Sequence, residues 1–144
     1  MKIVFVCTGN TCRSPMAEAI AKSRYPGSAF SSRGVSACAG EGANPKSVGT
    51  ASEHGLNLTK HKARQIGGRD FKKAAIAAMT RGHKELLLRK YAKYADRIYT
   101  LGELAGEPER DVPDPYGGTD DDYRDCFGML EGLIAKIEGF ITKK

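Results

Sequence analysis

Lys2-Ile3-Val4-Phe5-Val6-Cys7 runs directly into Thr8-Gly9-Asn10-Thr11-Cys12 and then Arg13-Ser14-Pro15. Lys2–Val6 is a β-branched and aromatic run of the length expected for a buried parallel strand. From Ser14 the spacing of Met16, Ala17, Ala19, Ile20 and Ala21 predicts a helix, with Ser14 as its N-cap and Pro15 in its first position. Pro26-Gly27-Ser28 ends that helix. A strand, a tight polar loop and a helix in immediate succession open an α/β fold.

The remainder of the chain continues the alternation. Ala29–Val35 reads as a second, more polar strand at a sheet edge, and Pro45 opens a helix that Gly55 stops after His54. Ala74–Met79 is alanine-rich, which favours helix, yet its length and flanking charges suit a buried strand. Lys84–Tyr91 reads as a helix, Arg97–Thr100 as a short strand, and Asp114–Gly118 as a turn. A last helix is expected from Thr119 or Asp120 to Phe140, with Phe127, Leu130, Leu133, Ile134, Ile137 and Ile141 on one face. Such a chain folds as one domain, 1–144, around a parallel sheet, and ligands of such folds bind beyond the carboxyl ends of the strands.

Composition narrows the function. The 144 residues are 40% hydrophobic and 28% charged, so a packed core is expected rather than disorder. No apolar run reaches the length of a membrane span, and the short apolar N-terminus is interrupted by Gly9-Asn10, so a cytoplasmic protein is expected. The balance of 23 Lys and Arg against 17 Asp and Glu, a formal +6, suits an anionic ligand. The basic residues are nonetheless spread along the chain, and Asp120-Asp121-Asp122 would repel phosphates, which disfavours nucleic acid. Cys7, Cys12, Cys38 and Cys126 include no C-x-x-C pair, and His54, His61 and His83 are scattered, so neither a metal nor a cofactor is expected. Cys38 and Cys126 are each expected to be a small apolar or half-buried residue. With no long exposed apolar stripe in the pattern, a monomer is expected.

The chemistry lies in the loop, which has the form C-x5-R-S. Successive backbone N–H groups in a tight turn make a concave nest for an anion, and the following helix N-terminus adds positive charge. Gly9 and Asn10 tolerate the left-handed conformations such a turn needs, and Arg13 offers a planar fork for two phosphate oxygens. A thiol under that field, here Cys7, is expected to ionise at neutral pH and to act as a nucleophile on a bound phosphoryl group. The nucleotide loops G-x-x-x-x-G-K-[ST] and G-x-G-x-x-G are absent. A leaving group needs a proton, and Asp114, stiffened between Pro113 and Pro115, is the candidate acid.

With Val6–Glu18 and Asp114-Pro115-Tyr116 at opposite ends, the chain resembles the low-molecular-weight protein tyrosine phosphatase superfamily. His61-Lys62-Ala63-Arg64-Gln65 and Ala78-Met79-Thr80 match further segments of that superfamily. The resemblance implies a four-stranded parallel sheet with helices on both faces. It also implies that Cys7 attacks phosphorus, that Arg13 and the loop amides hold the oxygens, and that Asp114 protonates the leaving group and later activates water. Thr8, Gly9, Asn10, Thr11, Cys12, Ser14 and Tyr116 would surround the substrate. Ser14 would hydrogen-bond Cys7, Asn10 would hold the loop with Ser32, and Cys12 would be positioned to trap Cys7 as a reversible disulfide. Arg33, where the family has a small residue, would add positive field at the rim or point to solvent.

Within the superfamily, the bacterial protein arginine phosphatases resemble this chain most, through Cys-Thr-Gly-Asn-Thr-Cys-Arg-Ser and an Asp-Pro-aromatic-Gly-Gly turn. The implied substrates are proteins carrying phosphoarginine, with phosphotyrosine the alternative and inorganic phosphate the product. Tyrosine phosphatases have an aliphatic residue in place of Thr11 and a second aromatic in place of Gly117. A guanidinium needs acceptors rather than an apolar wall, and Asp114 and Thr11 supply them. An arsenate reductase would need two further cysteines after Thr80, which residues 80–100 lack. A non-catalytic phosphoprotein-binding module would have dispensed with Cys7 or Asp114.

Overall fold

The computed structural model describes residues 2–142. Four strands, β1 (Lys2–Cys7), β2 (Ala29–Gly34), β3 (Ala74–Ala78) and β4 (Ile98–Thr100), form one parallel sheet in the order β2-β1-β3-β4. Helices α1 (Arg13–Arg24), α2 (Pro45–Glu53), α3 (Arg81–Lys90), α4 (Leu101–Leu104), α5 (Asp120–Ala135) and α6 (Glu138–Thr142) flank it, with short 3-10 turns at Gly68–Phe71 and Ala92–Arg97.

After Lys2 the central strands β1 and β3 are apolar because both of their faces are covered. Ile3, Phe5 and Cys7 of β1 join Ala75, Ala77 and Met79 against Met16, Ile20, Phe127, Leu130 and Ile134 of α1 and α5. Val4, Val6, Ile76, Ala78 and Ile98 face the opposite way, onto Ile66, Phe71 and Leu87. All five residues of β3 are buried, so the closeness of β1 and β4 outweighs alanine's helical preference. β2 is the polar edge strand the sequence predicts.

Three boundaries depart from expectation, each for a tertiary reason. Helix α1 starts at Arg13 rather than after an N-cap at Ser14, because the Ser14 side chain is buried and bonded inside the preceding loop. Helix α3 starts at Arg81, where the Thr80 hydroxyl accepts the N–H of His83. The last helix does not run unbroken to Phe140. The Tyr25 hydroxyl takes the carbonyl of Ile134 (2.7 Å), Ile137 N–H turns to the same carbonyl in a tight turn, and α6 begins at Glu138. Cys126 is buried as a small apolar residue, whereas Cys38 is exposed. Among the described residues no helix is long and apolar enough to cross a membrane.

The chain passes from β1 to β2 on one side and from β2 across to β3 on the other. The strand order therefore reverses between β1 and β3, where such sheets open a crevice at their carboxyl edge. Cys7 ends β1 at that crevice.

Candidate active site

The loop from Cys7 to Arg13 is organised around the side chain of Asn10. Asn10 is fully buried with φ 59°, a left-handed conformation that asparagine tolerates better than most residues. Its Oδ1 accepts the Arg64 N–H (2.9 Å), its carbonyl accepts from His61 Nε2 (2.7 Å), and its Nδ2 donates to Ser14 Oγ (2.8 Å). Because Ser14 Oγ accepts there, its own proton is free for Cys7 Sγ, 2.9 Å away, with the Arg33 carbonyl a longer alternative at 3.4 Å. The loop backbone also abuts β2: Ser36 N–H donates to the Thr8 carbonyl (2.9 Å), and a Cβ on Gly34 would lie 2.6 Å from that oxygen.

The expected Asn10–Ser32 bond is not made. Ser32 lies on β2 opposite Phe5, and its hydroxyl donates to Glu18 Oε1 of α1 (2.6 Å). His61 and Arg64, both within the matched segment, hold Asn10 instead. Arg33 neither charges the rim nor points to solvent; it is paired with Asp70 at 3.0 Å.

Arg13 brings the two ends of the sequence together. Its side chain is 5% exposed, Nη1 donates to the Val112 carbonyl (3.0 Å), and Nη2 lies 3.6 Å from Asp114 Oδ2. Its Nε is buried with no protein partner among the described residues. A guanidinium taken from water this way costs several kcal/mol unless anionic partners surround it, and Asp114, half exposed, is an incomplete one. Val112 N–H is fixed by the Met79 carbonyl, so the acid turn hangs from the end of β3. Beyond it the Tyr116 N–H donates to Asp114 Oδ1 (3.1 Å), Tyr116 is 73% exposed, and Gly117 has φ 82°. Helix α2 braces both parts: Asn44 N–H donates to the Thr11 carbonyl (2.9 Å) and Lys46 Nζ to the Gly118 carbonyl (2.6 Å).

Thr8, Gly9 and Thr11 line the outer part of the loop. Among the described residues the Thr11 hydroxyl has only a long contact, 3.9 Å, with Cys12 Sγ. Cys12 is a buried free thiol 3.4 Å from the hydroxyl of Tyr123, which is packed inside. Burial pushes the Tyr123 phenol well above its ordinary range, with the Cys12 contact adding to the effect, and pushes the Cys126 thiol up to about 12.

One neighbour was not visible in the sequence. His83 sits in the first turn of α3 with Nε2 2.9 Å from Thr8 Oγ1 and Nδ1 3.0 Å from Thr80 Oγ1. Burial first, and Arg13 second, depress its pKa from 6.5 to about 4, against the opposing pull of Asp114 and Asp111. Its only sequence signal was its place just past a buried strand, at the edge where ligands of such sheets bind.

The arrangement resembles known proteins along its whole length. A family model described as low molecular weight phosphotyrosine protein phosphatase matches residues 2–144. The low molecular weight protein-tyrosine-phosphatase PtpB of Staphylococcus haemolyticus is 42% identical over 137 residues, 95% of this chain and 97% of that one. The YwlE arginine phosphatase from Geobacillus stearothermophilus superposes with a TM-score of 0.92 at 33% identity, over 99% of this chain and 93% of that one. The low molecular weight protein tyrosine phosphatase from T. tengcongensis does so with a TM-score of 0.88 at 41% identity, over 100% and 99%.

Proposed function

The chain belongs to the low molecular weight phosphotyrosine protein phosphatase family, and from that premise we propose that it removes phosphate from arginine side chains of proteins through a phosphocysteine on Cys7. The observation that carries the mechanism is the buried, incompletely paired Arg13 guanidinium beside Asp114, in the loop that begins at Cys7.

In the first step Cys7 Sγ bonds to phosphorus as the phosphorus–nitrogen bond breaks, and Asp114 gives its proton to the departing guanidine. Arg13 and the loop amides hold the three equatorial oxygens as charge develops on them. Water then attacks phosphorus and gives a proton to Asp114, and the sulfur–phosphorus bond breaks to release phosphate and the thiolate. Ser14, which accepts from Asn10, donates its own proton to the sulfur whenever the sulfur is anionic. No cofactor enters any step.

Three features support phosphoarginine. The Thr11 hydroxyl is engaged only weakly by the protein and so is available as a polar contact beside the phosphoryl group. Asp114 presents a half-exposed carboxyl group, one oxygen of which can accept from the guanidine N–H groups while the other carries the proton to be transferred. Gly117, at positive φ, stands where an aromatic wall would be strained. Phosphotyrosine is the second reading, favoured by the exposed Tyr116 ring, which offers one aromatic wall.

A paired turnover assay decides between them, with a phosphoarginine protein and a phosphotyrosine peptide at equal concentration and Cys7→Ser as the blank. A preference for phosphoarginine of at least about a hundredfold, roughly 2.7 kcal/mol in transition-state discrimination, is expected, and Thr11→Ile should erode it. A preference for phosphotyrosine would overturn the arginine assignment while leaving the mechanism.

A further inference from the structure

The imidazole of His83 is a buried titratable group at the crevice that the mechanism leaves unused. It is 9% exposed, and both ring nitrogens are bonded to threonine hydroxyls from different parts of the chain. The Thr80 hydroxyl also accepts the His83 backbone N–H (3.1 Å), so the ring is tethered to the end of β3 by two bonds to one oxygen. From that anchor Nε2 reaches across the crevice to Thr8, the residue immediately after Cys7 and 75 positions away in sequence. Thr8 is exposed, and its hydroxyl has no other partner among the described residues. Its side chain is therefore oriented by His83 alone, while its carbonyl is held from the other side by Ser36.

We propose that His83 is a positioning residue of the anion loop: its imidazole, held by Thr80, clamps the first side chain past the nucleophile and so sets the loop's grip on a phosphoryl group. A neutral imidazole carries one N–H and one lone pair, which matches two hydroxyl partners, whereas a charged ring beside Arg13 would add like-charge repulsion. The surrounding charges are Arg13, which opposes the cation, and Asp114 and Asp111, which favour it. Without the clamp the Thr8 hydroxyl rotates freely over the mouth of the loop. Binding then weakens, while Cys7 and Asp114 stay in place.

The inference rests on reading Cys7–Ser14 as a phosphate loop, and its test is independent of which amino acid carries the phosphate. p-Nitrophenyl phosphate serves as substrate and inorganic phosphate as inhibitor, with His83→Leu, His83→Gln, Thr8→Val and the His83→Leu/Thr8→Val double variant. Losing the hydrogen bond is expected to raise KM and the phosphate inhibition constant about tenfold in His83→Leu, with kcat lowered less than about threefold. His83→Gln, whose amide reaches Thr8, should recover most of the loss. Thr8→Val should reproduce the effect, and the double variant should be no worse than either single one. If His83→Leu fails to fold, Thr8→Val cuts the same contact from its exposed end and decides alone. KM and inhibition constant within about twofold of the parent, multiplying effects in the double variant, or kcat falling with no rescue by glutamine would each overturn the proposal. If phosphate does not inhibit the unmodified protein, or Cys7→Ser still turns over, the phosphate-loop reading itself fails.

Discussion

Asn10 offers the sharpest test of how the loop is built, because one side chain satisfies several requirements at once. Replacing it with alanine removes the acceptor for Arg64 N–H and the donor to Ser14 Oγ, both inside 3 Å. Each lost bond costs about 1 kcal/mol, and the buried Ser14 end more. Alanine must also adopt φ 59°, which adds roughly 1 kcal/mol. The expected loss for Asn10→Ala is about 3–4 kcal/mol, measured by urea unfolding with an unchanged slope. Asn10→Gly should be about 1 kcal/mol less damaging, since glycine takes positive φ freely. Asn10→Asp tests the donor alone: Oδ1 still serves Arg64, but the second oxygen accepts where the amide donated and competes with Cys7 for the Ser14 proton. Because it leaves a carboxylate in a fully buried site, it should cost about 3 kcal/mol or more in stability and lower kcat/KM steeply. A loss below about 1 kcal/mol in the alanine variant, or glycine no better than alanine, would refute this account of the loop.

Gly34→Ala should strike the same loop from β2. Its Cβ would meet the Thr8 carbonyl at 2.6 Å and Asn10 N at 3.0 Å, backbone atoms that cannot step aside. Stability should fall by about 1–3 kcal/mol with phosphate inhibition weakened, and an unaffected inhibition constant would count against the close approach. His83 makes stability acid-sensitive in a definite window. Between pH 6.5 and about 4 the unfolded chain binds a proton that the folded one refuses, so stability falls as the pH drops through that range. The loss attributable to this group is roughly 2–3 kcal/mol. Urea unfolding at pH 7 and at pH 4.5 should show a smaller acid loss in His83→Gln than in the parent, and equal losses would refute the assignment.

How much of this was legible in the sequence depends on how local the cause was. The apolar run Lys2–Cys7, the C-x5-R loop and the prolines around Asp114 act within a few residues, and each is where the pattern places it. Ala74–Ala78 was harder, because only its burial between β1 and β4 overrides alanine's helical preference. Ser14 misled as an N-cap since its hydroxyl serves two equally plausible roles, and the nearby Cys7 claimed it. The break at Ile137 is caused by a tyrosine more than a hundred residues away, whose hydroxyl takes a helix carbonyl. Ser32, expected to support Asn10, is bonded to Glu18 instead, and the support comes from His61 and Arg64 across a long loop. His83 reaches the site only because the strand order reverses between β1 and β3.

The central claim is a phosphoryl group carried on Cys7 and released with help from Asp114. p-Nitrophenolate leaves without a proton, so in Asp114→Asn the first step proceeds while hydrolysis of the phosphoenzyme slows. Acid-quenching that variant during turnover of p-nitrophenyl phosphate and mapping the phosphoryl group by mass spectrometry tests the claim directly. The account predicts a burst of p-nitrophenolate with phosphate on the peptide containing Cys7, absent in Cys7→Ser. Turnover with no such adduct, or an adduct on another residue, would contradict it.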